Sequence, residues 1–339
     1  MATEFFDTLV SKASQLNFRP SETTIKALAV TGAIATSYQI WKFFEFIHLY
    51  FLKPSTLNRY RAAESPKGEA PWALITGSSD GIGKCLANDL AKKGFNIIIH
   101  GRTREKLVKL SASFEKRYGI KTRTLSLDAS DPSVILDDAV IAALNDIKIT
   151  ILINNVGGAT VTAPATWQPL VDKTSEEVDR VISFNARFMT QLIRLVLPRM
   201  TEPGLIINIS SQSSIGLPYV QLYSGSKGFV NAFSIAMNAE MYAMGRDIQV
   251  MSVTPSSVKG AGFKQAKGSL LPDADMISKA ILDRVGSGRT VISPYWLQAA
   301  QDAILRSLPH SWYPMLVTGA VSALKKEEEE EELAKAKLI

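Results

Sequence analysis

The sequence predicts an α/β fold of the Rossmann type, a doubly wound parallel sheet with helices on both faces. Six short apolar runs between Trp72 and Pro255 alternate with helical stretches: WALITG, FNIIIH, RTLSLD, ITILINN, LIINIS and QVMSVTP. These runs lack the strict alternation of a half-exposed sheet, which indicates strands that are buried on both faces. Strands that alternate with helices pair in parallel. An N-terminal apolar helix is expected to precede this sheet.

Length and composition narrow the class of protein. The 339 residues, 46% of them hydrophobic, suit one large α/β domain with an appendage. A single cysteine excludes an intramolecular disulfide framework and a cysteine-rich zinc site. Three histidines lie far apart in the sequence, so no metal site is expected. The net charge of +6 comes without zinc-finger spacing or RNA-binding motifs, so we expect anionic substrates or lipids as partners and no nucleic acid.

The N-terminal region contains an apolar segment. Ala27 to Trp41 carries no charge, but these 15 residues are fewer than the roughly 20 that a bilayer-spanning helix needs. Extension through Leu52 brings in Lys42 and Glu45, which lie three residues apart and can pair on a helix. We expect a retained membrane anchor that spans the bilayer or lies on it. The alternative is an amphipathic helix that covers the main domain.

Composition divides the chain into three parts. Residues 1–70 are expected to form the anchor segment and a linker, residues 71–305 the α/β domain, and residues 306–339 a C-terminal extension. The linker, residues 53–70, is polar and contains two prolines and a glycine. The extension holds six consecutive glutamates, which repel each other and predict a solvated tail or frayed helix.

A glycine-rich motif, TGSSDGIG, follows the first predicted strand and opens the first helix after it. Its glycines permit a tight turn and let backbone N–H groups approach a pyrophosphate. The positive end of the helix dipole then faces the anion. The motif therefore predicts a dinucleotide site with these residues: Gly77, Ser79, Asp80, Gly81, Ile82 and Gly83.

The end of the second strand predicts which dinucleotide binds. An acidic side chain there would bind the adenosine ribose hydroxyls and select NAD, but this chain has Gly101 followed by Arg102. The missing carboxylate removes repulsion against a 2′-phosphate, and the guanidinium fork of Arg102 can bind that group. We therefore expect NADPH or NADP+, unless Arg102 is only a surface residue. His100 either packs at the strand end, the simpler interpretation, or touches the adenine.

A Tyr-x-x-x-Lys pair, Tyr223 and Lys227, follows the apolar run LIINISS. On a helix this spacing puts both side chains on one face. The pKa of tyrosine is near 10, and a nearby ammonium stabilises the phenolate and lowers that pKa. Tyr223 could then act as the general acid when a ketone is reduced to an alcohol.

Together the motifs resemble the short-chain dehydrogenase/reductase superfamily over roughly residues 72–300. The resemblance is carried by TGSSDGIG, Asp128, NNVG, Asn185, ISS, YSGSK and the turn at Pro255. The N-terminal apolar segment and SLPHSWYPMLV resemble its membrane-bound branch of very-long-chain 3-oxoacyl-CoA reductases and 17β-hydroxysteroid dehydrogenases.

The resemblance implies catalytic roles. Tyr223 would be the acid, Lys227 would lower its pKa and hold the nicotinamide ribose, and Asn185 would hold a water in a proton relay. A serine would polarise the substrate carbonyl. Alignment of the ISS motif with a one-residue deletion favours Ser211, which lies 12 residues before the tyrosine. Counting back the family's 13 residues favours Ser210.

The resemblance also implies cofactor contacts. Asp128 would approach the adenine, Asn155 would lie beside the adenosine ribose, and Gly157 belongs to the same NNVG motif. Val258 would lie by the nicotinamide carboxamide. The turn around it reads PSSVKG and lacks the threonine that usually caps this amide, so closure of the cofactor loop can differ.

These motifs indicate an NADPH-dependent ketoreductase, and the resemblance implies a very-long-chain 3-oxoacyl-CoA of fatty-acid elongation as its substrate. A steroid or secondary-metabolite ketone is the alternative substrate, and a catalytically silent NADPH-binding scaffold is the alternative from a different class. A homodimer is expected, because the helices that match residues 176–199 and 223–244 commonly form a four-helix interface in this superfamily.

The ends of the chain predict its location. Lys53, Arg59 and Arg61 follow the apolar segment and favour a cytosolic catalytic domain. Lys335 and Lys337 resemble a dilysine retrieval signal, which works only on a cytosolic tail. We expect the endoplasmic reticulum membrane, although two lysines in such a tail can occur by chance.

Overall fold

The computed structural model describes residues 21–61, 68–159, 167–259 and 271–336. The chain divides into two compact units, Met1–Lys53 and Pro54–Ile339.

The N-terminal unit contains helix α1 (Glu22–Ile47), followed by a π-helical turn, His48–Leu52. Ser21 begins the helix, since its hydroxyl accepts the N–H of Thr24. No side chain of α1 is buried. The expected pairing within the apolar segment is confirmed: Lys42 and Glu45 form an ion pair at 3.3 Å. Among the described helices, none combines the length and mean hydropathy that crossing a bilayer requires.

A seven-stranded sheet forms the centre of the second unit. All its strands are parallel, in the order β3-β2-β1-β4-β5-β6-β7. The strands are β1 (Trp72–Ile75), β2 (Asn96–Gly101), β3 (Thr122–Ser126), β4 (Ile149–Asn154), β5 (Met200–Ile209), β6 (Ile248–Val253) and β7 (Val291–Ile292). The six predicted strands are confirmed, and β7, only two residues long, was not predicted.

Nine helices accompany the sheet within the described residues. They are α2 (Gly81–Lys92), α3 (Arg104–Tyr118), α4 (Asp137–Leu144), α5 (Ser175–Ile182), α6 (Phe188–Val196), α7 (Gln221–Ala243), α8 (Ala274–Asp283), α9 (Trp296–Ser307) and α10 (Tyr313–Ala336). The sequence predicted one helix over residues 176–199. The structure divides it into α5, a π-helical turn at Ser183–Arg187, α6 and a short 3₁₀ turn.

The core explains why the strands are apolar on both faces. Alternate strand residues such as Leu74 and Ile98 pack with α4, α6 and α7 in one cluster. Their neighbours in sequence, such as Ile75 and Ile97, are equally buried on the other face, and α2 and α3 contact strands β1 and β2. The predicted Rossmann-type sheet is therefore confirmed. Strand order reverses between β1 and β4, which opens a crevice at the carboxyl ends of these strands.

The expected linker differs from the structure in its first part. Residues 54–61 belong to the second compact unit, which begins at Pro54. Arg59 makes a bidentate ion pair with Asp247, at 2.7 and 2.8 Å. The buried Tyr60 donates its hydroxyl to Gln249 Oε1 at 2.8 Å, and burial is the main cause that raises its pKa to about 12. An exposed ion pair and a partly buried hydrogen bond therefore connect this segment to the start of β6.

Candidate active site

The glycine-rich turn lies between β1 and α2, at the crevice. Gly77 and Gly81 have φ angles of 64° and 54°, in the left-handed region that favours glycine. A Cβ atom on Gly83 would lie 2.3 Å from the carbonyl oxygen of Gly77. Asp80 is the N-cap of α2, since its carboxylate accepts the N–H of Gly81 at 2.8 Å. Close packing of the turn against α2 therefore requires glycine at position 83.

The second asparagine of the NNVG motif supports this turn. Asn155 donates its side-chain amide to the carbonyl oxygen of Thr76 at 3.1 Å. In return, the Thr76 hydroxyl accepts the backbone N–H groups of Asn155 at 2.8 Å and Val156 at 3.0 Å. We expected the Asn155 side chain beside the adenosine ribose. In the structure its amide is bonded to the start of the glycine-rich turn.

His100 holds the same turn from the end of β2. Its Nδ1 accepts the N–H of Gly77 at 3.2 Å, and its backbone N–H and C=O both bond Ser78, each at 3.0 Å. Burial lowers the pKa of His100 to about 4, against smaller opposing effects of the Leu127 backbone and Asp128. The imidazole is therefore neutral at pH 7, and its Nδ1 is free of a proton and able to accept.

A cavity of about 160 Å³ opens beside the turn, where the adenosine end of a dinucleotide is expected. It is lined by Gly77, Ser79, His100, Gly101, Arg102, Leu127, Ala129, Val156 and Phe184. The predicted selectivity residue Arg102 is exposed at this cavity. A Cβ on Gly101 would lie 3.1 Å from Ser79 Oγ and 3.2 Å from a methyl of Leu107, so the position leaves little room for an acidic side chain.

Two more predicted cofactor residues, Asp128 and Ile82, do not line this cavity. Asp128 follows β3, and its Oδ1 accepts both the N–H and the hydroxyl of Ser130, at 2.9 and 2.8 Å. These bonds fix the carboxylate against Ser130, and the neighbours of Asp128 in the chain, Leu127 and Ala129, line the cavity. Ile82 lies in the first turn of α2 and is partly exposed.

Tyr223 and Lys227 lie one turn apart on α7, as predicted. The ammonium of Lys227 is 5.6 Å from the centroid of the Tyr223 ring and donates to the carbonyl oxygen of Ile209 at 2.8 Å. Lys227 is buried, and this burial lowers its pKa to about 8. A Cβ on Gly157 would lie 2.6 Å from Lys227 Nζ and 2.8 Å from Asn185 Oδ1, so glycine at this position lets the two side chains approach.

The pKa of Tyr223 differs from the expectation. Burial has the largest effect and raises it, while hydrogen bonds with Ser211 and then Ser213 lower it. We expected the ammonium of Lys227 to do the lowering. In the structure the two serine hydroxyls lower the pKa instead. Burial has the larger effect, so the pKa of Tyr223 remains raised.

The two candidate serines have different surroundings. Ser210 is buried and donates its hydroxyl to the carbonyl oxygen of Lys227 at 2.9 Å, so it binds the backbone of α7. Ser211 begins a 3₁₀ turn, Gln212–Ile215, and its hydroxyl lies beside that of Tyr223. This geometry favours Ser211, in agreement with the motif alignment and against simple counting.

Ser213 is a candidate that sequence reasoning missed. Its hydroxyl donates to Ser211 Oγ at 2.8 Å and also bonds Tyr223. The hydroxyl groups of Ser211, Ser213 and Tyr223 therefore lie close together. The only signal in the sequence is the third serine of the run SSQSS, and serine is common in turns without any catalytic role.

Asn185 is buried in the π-helical turn Ser183–Arg187. There the N–H of Phe188 bonds the carbonyl oxygen of Ser183, five residues back. The Asn185 amide donates to the carbonyl oxygens of Val181 at 3.0 Å and Gly158 at 2.9 Å, and its Oδ1 accepts the N–H of Gly158 at 3.0 Å. These bonds fix the side chain beside Lys227, with one lone pair of Oδ1 left for a further donor.

The last predicted contact, Val258, is buried in the loop after β6. The next residues of that loop, 260–270, lie outside the described residues. No three His, Cys, Asp or Glu side chains of the described residues come together as metal ligands would.

Comparison with known proteins identifies the family. The short chain dehydrogenase family model matches residues 71–269. Very-long-chain 3-oxoacyl-CoA reductase-B of Danio rerio is 34% identical over 76% of this chain and 80% of its own. The human very-long-chain 3-oxoacyl-CoA reductase is 32% identical over 72% of this chain and 77% of its own.

A solved structure agrees with this match. A short-chain dehydrogenase of Sphingobium yanoikuyae in complex with NADPH is 27% identical, covers 71% of this chain and 96% of its own, and superposes with a TM-score of 0.57. Sequence and structure thus agree: this chain belongs to the short-chain dehydrogenases, and within them its relatives are very-long-chain 3-oxoacyl-CoA reductases.

Proposed function

We propose that the protein is an NADPH-dependent ketoreductase, which reduces a carbonyl to a secondary alcohol. The observation that carries the proposal is the convergence of Tyr223, Ser211 and Lys227 at the carboxyl ends of the central strands, beside the glycine-rich turn. An acid, a hydrogen-bond donor and a cation in one crevice are what carbonyl reduction needs.

The residues present fit NADPH. Gly77, Gly81 and Gly83 would receive the pyrophosphate at the N-terminus of α2, where a side chain at Gly83 could not fit. Arg102 would bind the 2′-phosphate at the adenosine cavity. Val258 would contact the carboxamide. When bound, NADPH would supply the hydride that the carbonyl carbon accepts.

The side chains of this chain would handle the oxygen and its proton. Ser211 donates a hydrogen bond to the carbonyl oxygen and holds it near Tyr223. As charge builds on that oxygen, Tyr223 gives up its phenolic proton to form the alcohol. The hydroxyls that lower the pKa of Tyr223, those of Ser211 and Ser213, stabilise the resulting phenolate. Lys227 holds its ammonium 5.6 Å from the tyrosine ring, and Asn185 fixes the backbone of Gly158 nearby. Because these groups are intact, a silent NADPH-binding scaffold is the weaker interpretation.

We propose a very-long-chain 3-oxoacyl-CoA as the substrate. The relatives named for that reaction support this, and the net charge of +6 suits an anionic CoA ester. The test is NADPH oxidation by the purified protein with a panel of ketones. Long-chain 3-oxoacyl-CoA should be reduced with a kcat/KM at least tenfold above steroid ketones. Preference for a steroid would support the alternative substrate, and no turnover with either would contradict the proposed reaction.

The proposal includes attachment to the endoplasmic reticulum membrane, with the catalytic domain in the cytosol. It is supported by the exposed apolar side chains of α1, Trp41 and Phe44 among them. The lysine-containing end of the tail, residues 337–339, lies outside the described residues. Protease treatment of sealed microsomes that carry a C-terminally tagged protein should remove the tag. A protected tag, or a wholly soluble protein, would contradict this part of the proposal.

We also propose a homodimer, formed through α5, α6 and α7. These helices border an open groove of about 520 Å³ whose lining includes Ile182 and Phe229. Further along α7, Ile235 and Tyr242 are also exposed, and apolar side chains of this kind favour a protein partner. Light scattering of the solubilised protein should give the dimer mass, and Phe229→Asp should give the monomer. A monomeric wild type would contradict the proposal.

A further inference from the structure

Gln298 is a buried amide that holds the loop after β6. It lies in the first turn of α9 and is only 3% exposed. Its Oε1 accepts the N–H of Ser256 at 3.0 Å, and its Nε2 donates to the carbonyl oxygen of Ser257 at 2.9 Å. One side chain thus satisfies a donor and an acceptor on consecutive residues, immediately before Val258.

The same residue is bonded to the serine turn. Gln212, which follows Ser211, donates its side-chain amide to the main-chain carbonyl oxygen of Gln298 at 2.8 Å. The backbone N–H of Gln212 donates to the carbonyl oxygen of Pro255 at 3.0 Å. The turn that carries Ser211 and the loop that carries Val258 are therefore joined both directly and through Gln298.

We propose that Gln298 is a positioning residue for the nicotinamide end of the cofactor, which it controls through the loop of residues 255–258. The proposal rests on the proposed function in one respect, that Val258 contacts the carboxamide. The motif of this loop lacks the threonine that usually caps the amide. The two bonds from Gln298 provide a different anchor, which comes from a helix 40 residues later in the chain.

The sensitivity of hydride transfer to distance explains why such an anchor matters. Reacting atoms must lie within about 3–3.5 Å, and a displacement near 1 Å can reduce the rate roughly a hundredfold. The bond between Gln212 and Gln298 couples the position of the loop to that of the turn that carries Ser211.

The test uses Gln298→Leu, which keeps the size of the side chain and removes both of its bonds to the loop. The matched control is Gln301→Leu, since Gln301 lies on the same helix and is exposed. Binding of NADPH is compared with binding of 2′,5′-ADP, which has the adenosine end and no nicotinamide. Neither titration needs a substrate, so the result does not depend on the substrate assignment.

Gln298→Leu should raise the Kd for NADPH roughly tenfold, because the loop that meets the nicotinamide loses both bonds that hold it to α9, and should leave the Kd for 2′,5′-ADP within about twofold. Gln301→Leu should change neither. If Gln298→Leu does not fold, Gln298→Glu takes its place, since an ionised Glu can accept from Ser256 but cannot donate to Ser257. Equal weakening of both ligands, or unchanged NADPH binding, would overturn the proposal. A wild type that binds 2′,5′-ADP but not NADPH would instead contradict the proposed function.

Discussion

Ser213 donates two hydrogen bonds to one atom of Ser211: its backbone N–H lies 3.1 Å from Ser211 Oγ, and its hydroxyl oxygen lies 2.8 Å from it. A serine oxygen accepts two hydrogen bonds and donates one. Because both acceptor positions of Ser211 are filled, its single proton must point elsewhere. The Tyr223 hydroxyl lies next to Ser211. In the proposed reaction, a carbonyl oxygen bound beside Tyr223 would accept the Ser211 proton as a hydrogen bond.

The first prediction separates the two adjacent serines. Ser211→Ala should lower kcat roughly a hundredfold, because it removes a donor to the developing oxyanion. Ser210→Ala removes a buried bond to the backbone of α7, so it should lower the free energy of unfolding by about 1 kcal/mol and reduce kcat far less. Steady-state kinetics and urea unfolding of both variants measure this. A larger loss of kcat in Ser210→Ala would reverse the assignment.

The second prediction concerns Ser213. Ser213→Ala should lower kcat roughly three- to tenfold with little change in the KM for NADPH, because the backbone N–H still bonds Ser211. Ser213→Thr should recover most of the rate, since it restores the hydroxyl. Ser214→Ala is the control, because Ser214 is in the same turn but bonds Asn231. If the control loses as much kcat as Ser213→Ala, the effect belongs to the turn and not to the hydroxyl.

The third prediction concerns the cofactor. The wild type should use NADPH with a higher kcat/KM than NADH. Arg102→Gln should lower kcat/KM for NADPH roughly tenfold or more and leave NADH almost unchanged, since only NADPH has the 2′-phosphate. Kinetics with both cofactors decide the matter. Equal efficiency in the wild type would refute the role of Arg102.

The fourth prediction uses the lowered pKa of His100, about 4 against 6.5 for the free residue. Between these values the unfolded chain binds a proton that the folded chain does not, so stability falls as the pH falls through this range. At pH 5 the loss from His100 amounts to about 2 kcal/mol relative to pH 7 or above. His100→Gln can still accept from Gly77 and does not titrate.

Urea unfolding of wild type and His100→Gln at pH 7 and pH 5 measures this difference. The wild type should lose more stability between the two pH values than the variant does. Equal losses would show that the imidazole is not the group responsible.

Much of the fold could be predicted because the physical cause acts locally. Strands buried on both faces are mostly apolar, so β1, β2, β4, β5 and β6 were visible as runs rich in Ile, Leu and Val, whereas the half-exposed edge strand β3 contains one buried Leu. The turn at Gly77 requires glycine for its backbone angle, and the spacing of Tyr223 and Lys227 follows from the helix. Each of these features constrains residues that are close together in the chain.

The remaining features depend on contacts between distant residues. The π-helical turn at Ser183–Arg187 shifts backbone bonds by one residue, and the Asn185 amide then bonds the carbonyl oxygen of Val181. No pattern of residues in the sequence predicts such a shift. No local pattern marks Gln298, because its partners Ser256 and Ser257 lie about 40 positions earlier in the chain.

The central claim is that Tyr223 protonates the carbonyl oxygen of a ketone reduced by NADPH. The most direct measurement is the rate of NADPH oxidation with a long-chain 3-oxoacyl-CoA under single-turnover conditions, for wild type and Tyr223→Phe. The substitution removes only the phenolic oxygen, so NADPH should bind with nearly unchanged Kd while the rate falls at least roughly a hundredfold. A variant that binds NADPH normally and retains more than about a tenth of the wild-type rate would contradict the claim.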